Sequence, residues 1–223
     1  MAIKTRKEPR FSVNKLGEYL TAKPSRRKKI IEDQKYPKPF PGTVGYKEAR
    51  EAIIKYIISD YNEGIILDAI KEIKKSVRLK ENEIENSITV MESVLGASLP
   101  DLSKVKKSRY RGRKEYLNIE GVDISVYPDV ILRKGGKVGC INLHIIKTER
   151  YRLNKEASKH ITTVQNKFLE NYVVKTGEVV NPLLCISMDC FGNSHEIGTK
   201  SFSTRLSNIH TACEEIVLWW ESL

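Results

Sequence analysis

No apolar run in this 223-residue chain approaches the roughly 20 residues that a membrane-crossing helix needs, which excludes a helical span on length alone. Met1 to Arg10 is basic and carries no apolar stretch of the kind a secretory signal contains. Cysteine is sparse: Cys140, Cys185, Cys190 and Cys213 show no CxxC spacing, so a zinc or iron–sulfur centre would need them to converge from separate elements. A chain of this length can bury a core without disulfide staples, and buried free thiols are the expectation. There is no internal repeat, no low-complexity tract, and no zinc-finger or recognition-helix pattern. These absences predict a soluble, cytoplasmic protein.

Acidic charge is also short, and the shortfall is local. The formal net charge is +11. Residues 1–40 hold twelve Lys/Arg against four acids, and residues 104–114 hold seven Lys/Arg and no acid. Excess positive charge concentrated in this way suits a polyanion, most simply nucleic acid, with DNA favoured over RNA. The residues expected to make such contacts are Arg26, Arg27, Lys28 and Lys29 in the first patch, and Lys104, Lys106, Lys107, Arg109, Arg111, Arg113 and Lys114 in the second. Tyr110, set among the arginines, is positioned to stack on a base. With no groove-reading helix in view, backbone binding with little base readout is expected.

The periodicities predict an order of elements. Phe11 to Ile31 reads as one or two short helices, with Ser12 as an N-cap and Pro24 opening a second turn. The three prolines of Tyr36–Gly42 predict an extended strap. Residues 46–75 read as two helices broken near Asn62-Glu63-Gly64, and Glu81 to Leu95 as another helix or a pair. Pro100 to Lys114 reads as a basic loop. A helix over Asn154–Val173, a strand over Leu183–Phe191 and a last helix over Ser203–Ser222 follow. His160 and His195 are expected at the surface.

The densest signal lies in the middle. Val122–Arg133 and Val138–Lys147 are β-branched and alternate around Gly135-Gly136, a two-residue hairpin turn. If those glycines form the turn, Lys134 pairs with Lys137, Asp129 with Asn142, and Tyr127 with His144. Because side chains alternate across a strand, these last four share one face with Ser125 and Ile131. The other face is apolar: Val126, Pro128, Val130, Leu132, Ile141, Leu143 and Ile145. An acid, an amide and an imidazole are thus expected to converge beside a buried sheet.

That arrangement resembles the PD-(D/E)xK nuclease superfamily, in particular its RecB/Cas4-like branch. Tyr127-Pro128-Asp129 matches the Pro-Asp half of the motif, and Asn142-Leu143-His144 stands where the family has (Asp/Glu)-x-Lys. The opening Ser12…Leu16…Pro24 is similar to the family's N-terminal pattern, and Gln165 lies on the helix where the family carries a glutamine. The resemblance implies a central mixed sheet flanked by helices, of restriction-endonuclease-like type. It also implies a metal site for Mg²⁺ or Mn²⁺ with Asp129 as ligand, His144 as base or ligand, and Gln165 as an orienting residue. A further acid would come from Glu81, Glu83, Glu85 or Glu92, with Glu92 ranked first. Asn142 departs from the pattern: one neutral carbonyl oxygen replaces a carboxylate, which weakens the hold on a hard cation.

The resulting expectation is an α/β protein with a helical N-terminal part. Residues 1–45 form a basic segment of short helices and strap, and 46–223 a nuclease-like domain that includes a helical region over 46–97. It would bind nucleic acid as a divergent metal-dependent phosphodiesterase or as a relic that binds without cutting. The competing expectation is an inactive interaction subunit of a defence or repair complex, meeting an acidic protein partner.

Overall fold

The computed structural model of the chain describes residues 5–37, 46–113 and 115–223. Most of the proline-rich strap, and Lys114 of the basic segment, lie outside the described residues.

Local capping chemistry sets the helix boundaries. Strand β1 (Arg10–Ser12) runs directly into α1 (Val13–Thr21), where the Ser12 hydroxyl accepts from the Lys15 N–H. Pro24 begins α2 (Pro24–Lys35), where its missing N–H costs nothing. Helix α3 (Lys47–Ile58) stops before Asp60 and Tyr61, both in left-handed backbone, and the Asn62 side chain then caps α4 (Glu63–Lys74). Helix α5 (Glu81–Leu95) follows, opened by Glu83 reaching back to the Lys80 N–H. Asn154 caps α6 (Lys155–Tyr172) through the Ala157 N–H, and α7 (Ser203–Ser222) closes the described chain. Each side-chain cap of this kind is worth about 1 kcal/mol.

Two sheets occupy the middle. A small one has the order β1-β4-β3, with β3 (Tyr116–Ile119) antiparallel and β1 parallel to β4 (Val122–Ser125). The larger has the order β2-β5-β6-β7-β8, built from β2 (Lys106–Arg109), β5 (Val130–Lys134), β6 (Lys137–His144), β7 (Val179–Asp189) and β8 (Ser194–Ile197). Only β6 and β7 are parallel within it, so the sheet is mixed.

Helices α1, α2, α6 and α7, together with the small sheet, pack over the face that carries Ile131, Val138, Cys140 and Cys185. Helices α3, α4 and α5 cover the opposite face, which carries Val130, Leu132, Ile141, Leu143, Ile186 and Met188. The molecule is an α/β fold in which helices cover both faces of the mixed sheet. No helix among the described residues is long and apolar enough to cross a membrane. All four cysteines are free and buried.

The central hairpin forms with the expected register, from Lys134↔Lys137 to Val130↔Ile141, and Gly135 and Gly136 both take positive φ at its turn. Its first arm is shorter than the alternation suggests. Val122–Ser125 belongs to the small sheet, and Val126–Asp129 is a strand-free crossing between the two sheets. Pro128 has no N–H to give a ladder, which fits a break there. Tyr127 therefore does not pair with His144; it is 46% exposed, whereas His144 is buried. The basic loop expected over Pro100–Lys114 contains β2, an edge strand whose Lys-Lys-Ser-Arg sequence lacks the apolar alternation that would announce it.

Between Val138↔Val180 and Cys140↔Cys185, Gly139 alone on β6 faces the four residues Asn181–Leu184 of β7. A Cβ at Gly139 would lie 2.2 Å from the Leu184 Cβ and 2.3 Å from its carbonyl oxygen. Gly139→Ala is therefore expected to destabilise the protein by about 1–3 kcal/mol or more, the usual range for overpacking, because backbone must move. Chemical denaturation checks this, and an unchanged midpoint would refute the close approach.

Candidate functional site

The carboxylate of Asp129 is held where the strand-free crossing enters β5. Arg50, on the sheet-facing side of α3, grips it in fork geometry: Nε donates to Oδ1 at 2.7 Å and an Nη donates to Oδ2 at 2.8 Å. The Leu143 backbone N–H also donates to Oδ2 at 2.7 Å, and the side chain is 3% exposed. Burial pushes the Asp129 carboxyl above its ordinary value, while Arg50 and the Leu143 N–H pull it back down. Both oxygens are committed to donors within the protein.

Asn142 and His144 share a face of β6, as expected, but that face lies under helices. The Asn142 side-chain amide donates to Oδ1 of Asn14 on α1 at 2.9 Å, not to Asp129. His144 places Nε2 3.3 Å from the Tyr151 carbonyl, so Nε2 carries the proton and donates. Burial holds the imidazole below its ordinary pKa, partly offset by that hydrogen bond and by Asp189, its neighbour across the β6–β7 register. Asp189 itself accepts from the N–H groups of Phe191 and Gly192 and shapes the turn after β7.

Gln165 is fully buried on α6, and neither atom of its amide meets a hydrogen-bond partner among the described residues. The hydroxyl of Ser187, opposite Asn142 in the register, is in the same condition. Buried polar atoms of this kind are ordinarily met by internal water. His160 is 7% exposed and not at the surface, because α6 is covered on nearly all sides and carries buried Ser158, Thr162, Thr163 and Asn166 as well. His195 is half-buried and reaches the Ser98 carbonyl.

Glu92 lies exposed on α5. The structure thus brings Asn142 and His144 onto one strand face, turns Asp129 to Arg50 instead, and leaves Glu92 outside. Among the described residues no group of three or more His, Cys, Asp or Glu side chains is gathered to hold a metal ion. The donors do not fit Mg²⁺ or Mn²⁺ in this arrangement: Asp129 already has a guanidinium in the position a cation would take, and Asn142 and His144 are satisfied elsewhere.

The basic residues divide sharply. In the first patch, Arg26 pairs with Glu18, Arg27 with Glu215, and Lys29 with Glu32 and Asp33, while Lys28 lies over the Trp219 ring. In the second, Lys107 is bound by Asp60 and the Leu102 carbonyl, and Arg109 is bound in fork geometry by Glu51. Lys104, Lys106, Arg111 and Arg113 remain exposed, with no side-chain partner among the described residues. Tyr110 is buried and unavailable for stacking. Arg50, which the sequence reading missed, left one signal: it stands beside Ala49 and one turn before Ile53 and Ile54, all buried, where a cation calls for a buried acid.

No protein-family model matches the chain, and neither a curated protein nor a solved structure is found to match it.

Removing Arg50 leaves Asp129 as an uncompensated buried acid. Arg50→Met is expected to cost about 2–3 kcal/mol, less than the ~3–5 kcal/mol of a fully buried pair because the arginine side chain is 38% exposed. Arg50→Met combined with Asp129→Leu should recover most of that loss, and a denaturation cycle in which the two changes simply add would refute the coupling.

The two buried imidazoles make a second prediction. Burial lowers both His144 and His160, so the unfolded chain takes up protons first as pH falls. Their stabilising contribution is complete above the unfolded value of about 6.5 and is lost below it. Melting temperature should therefore drop between pH 7 and pH 5, and His144→Gln should flatten part of that slope; an unaltered slope would count against a buried neutral His144.

Proposed function

We propose that the protein binds nucleic acid through the phosphate backbone, and that it does so as a PD-(D/E)xK-like fold whose metal site has become a structural ion pair. The observation that carries the binding half is the set of Lys104, Lys106, Arg111 and Arg113. These four cations, close together in sequence, are exposed and unneutralised, while Arg26, Arg27, Lys29, Lys107 and Arg109 are each paired with an acid of the protein. A bland use exists for one of them, since lysine on an edge strand such as β2 discourages strand-to-strand aggregation. That use does not extend to Arg111 and Arg113, which lie beyond the strand.

The relic half rests on Arg50. A guanidinium in fork contact with Asp129 supplies positive charge where a divalent ion would bring it, and it engages both carboxylate oxygens. Asn142 adds a neutral amide where the resemblance calls for an acid. Binding without cleavage follows from these two features.

Binding should be strongly salt-dependent, with counterions released by each neutralised phosphate. Replacing Lys104, Lys106, Arg111 and Arg113 together by Ala should weaken binding to DNA and RNA and flatten the log K against log salt slope by about 3–4 on duplex, at ~0.9 per phosphate. Fluorescence anisotropy over a salt series checks this. Absence of salt-sensitive binding to any nucleic acid would overturn the reading and favour an acidic protein partner. Cleavage with Mg²⁺ or Mn²⁺ that disappears in a folded Asp129→Ala variant would overturn the relic half.

A further inference from the structure

Four aromatic rings form a continuous row beside the unneutralised arginines. Tyr127 meets Tyr110 edge-to-face with centroids 5.1 Å apart, Tyr110 meets Phe168 at 6.2 Å, and Phe168 meets Tyr172 at 5.2 Å. The inner two rings are buried, whereas the outer two, Tyr127 and Tyr172, are 46% and 44% exposed. An exposed tyrosine is ordinary on its own. Here each is held by the ring behind it, so its orientation costs little further entropy when it meets a flat partner.

The loop after β2 is fixed to the same row. The Tyr110 hydroxyl donates to the Arg113 carbonyl at 3.3 Å, and Gly112 lies flat against the Tyr110 ring: a Cβ there would fall 2.1 Å from the hydroxyl oxygen. A side chain at position 112 would crowd that contact, and the contact holds the segment that carries the exposed Arg111 and Arg113 against a ring on which Tyr127 packs. Glu115, the next acid along the chain, is half-buried.

At the other end, the Tyr172 hydroxyl donates to the Tyr116 carbonyl, and the exposed Arg10 guanidinium lies 3.9 Å from the centre of the Tyr116 ring. Basic side chains therefore stand towards both ends of the row, Arg111 and Arg113 in the loop held by Tyr110 and Arg10 over Tyr116, with Tyr127 and Tyr172 as its exposed rings.

We propose that this run is a single-strand binding surface, on which bases stack against Tyr127 and Tyr172 while Arg111 and Arg113 hold the flanking phosphates. The inference rests on the nucleic-acid reading above and adds the strandedness and the base-contacting residues. The physical reason is selective. In a duplex the faces of the bases are covered by their neighbours, so an exposed tyrosine gains nothing from them; in a single strand those faces are open, and stacking is tolerant of sequence. Phosphate contacts alone would not distinguish the two forms.

The test uses the full chain with fluorescein-labelled oligo-dT and oligo-rU of 20 nucleotides and a duplex of matched length. Wild-type protein should bind one or both single strands at least tenfold more tightly than the duplex, and the DNA and RNA arms separate those two sources. Tyr127→Ala with Tyr172→Ala should weaken single-strand binding by about tenfold or more, given the usual worth of base–aromatic stacking, and leave the salt slope unchanged. Tyr127→Phe should retain wild-type affinity. Arg111→Ala with Arg113→Ala should instead reduce the slope by about 1.4 on a single strand, at ~0.7 per phosphate. Circular dichroism confirms that each variant is folded. Equal affinity for duplex and single strand with no effect of the tyrosine changes would overturn this inference while leaving backbone binding intact. Failure of every nucleic acid to bind would overturn both.

Discussion

The pairing of Arg50 with Asp129 organises the middle of this protein. A carboxylate this deeply buried cannot stay ionised unaided, because removing a charge from water costs several kcal/mol or more even after relaxation. The guanidinium and the Leu143 N–H together satisfy it, and in doing so they tie α3 to the start of β5 and to the end of β6. Neighbouring Glu51 takes Arg109 of β2 from the same helix. Two successive residues of α3 thus fasten two strands of the larger sheet.

That constraint decides what the sheet's polar residues can do. Asn142 is turned to Asn14, His144 to the Tyr151 carbonyl, and each is sealed by helices on its own side. Three residues that alternation would put on one face are divided between the two covered faces of the sheet. The chemistry available there is therefore that of stable internal contacts. Exposed positive charge without an acidic partner among the described residues lies instead on and beside the edge strand β2, at Lys104, Lys106, Arg111 and Arg113.

Much of the helical framework was legible because its signals are local. Ser12, Pro24, Asn62 and Asn154 act on backbone groups within three or four residues, and each marks a boundary in the folded chain. The hairpin turn at Gly135-Gly136 is equally local. The errors come from distance. Arg50 and Asp129 are 79 residues apart, and nothing near either residue names its partner. Strand β2 exists because β5 offers it a ladder, and a Lys-Lys-Ser-Arg segment has no pattern of its own to announce that. Alternation continued past Ser125, but it could not report that Pro128 would divide one arm between two sheets. Tyr110 stands among arginines, which reads as an exposed ring, yet it packs inward against Phe168 and Gly112 while Tyr127 stays exposed.

The parallel alignment of β1 on β4 joins Arg10 to Asp123 and Ser12 to Ser125. During translation, the segment bearing Phe11, Leu16 and Tyr19 emerges more than a hundred residues before its sheet neighbour. At roughly 5–20 residues per second it waits on the order of ten seconds without that cover. Like charge on its basic side chains repels other copies of the same segment while its apolar positions are still uncovered.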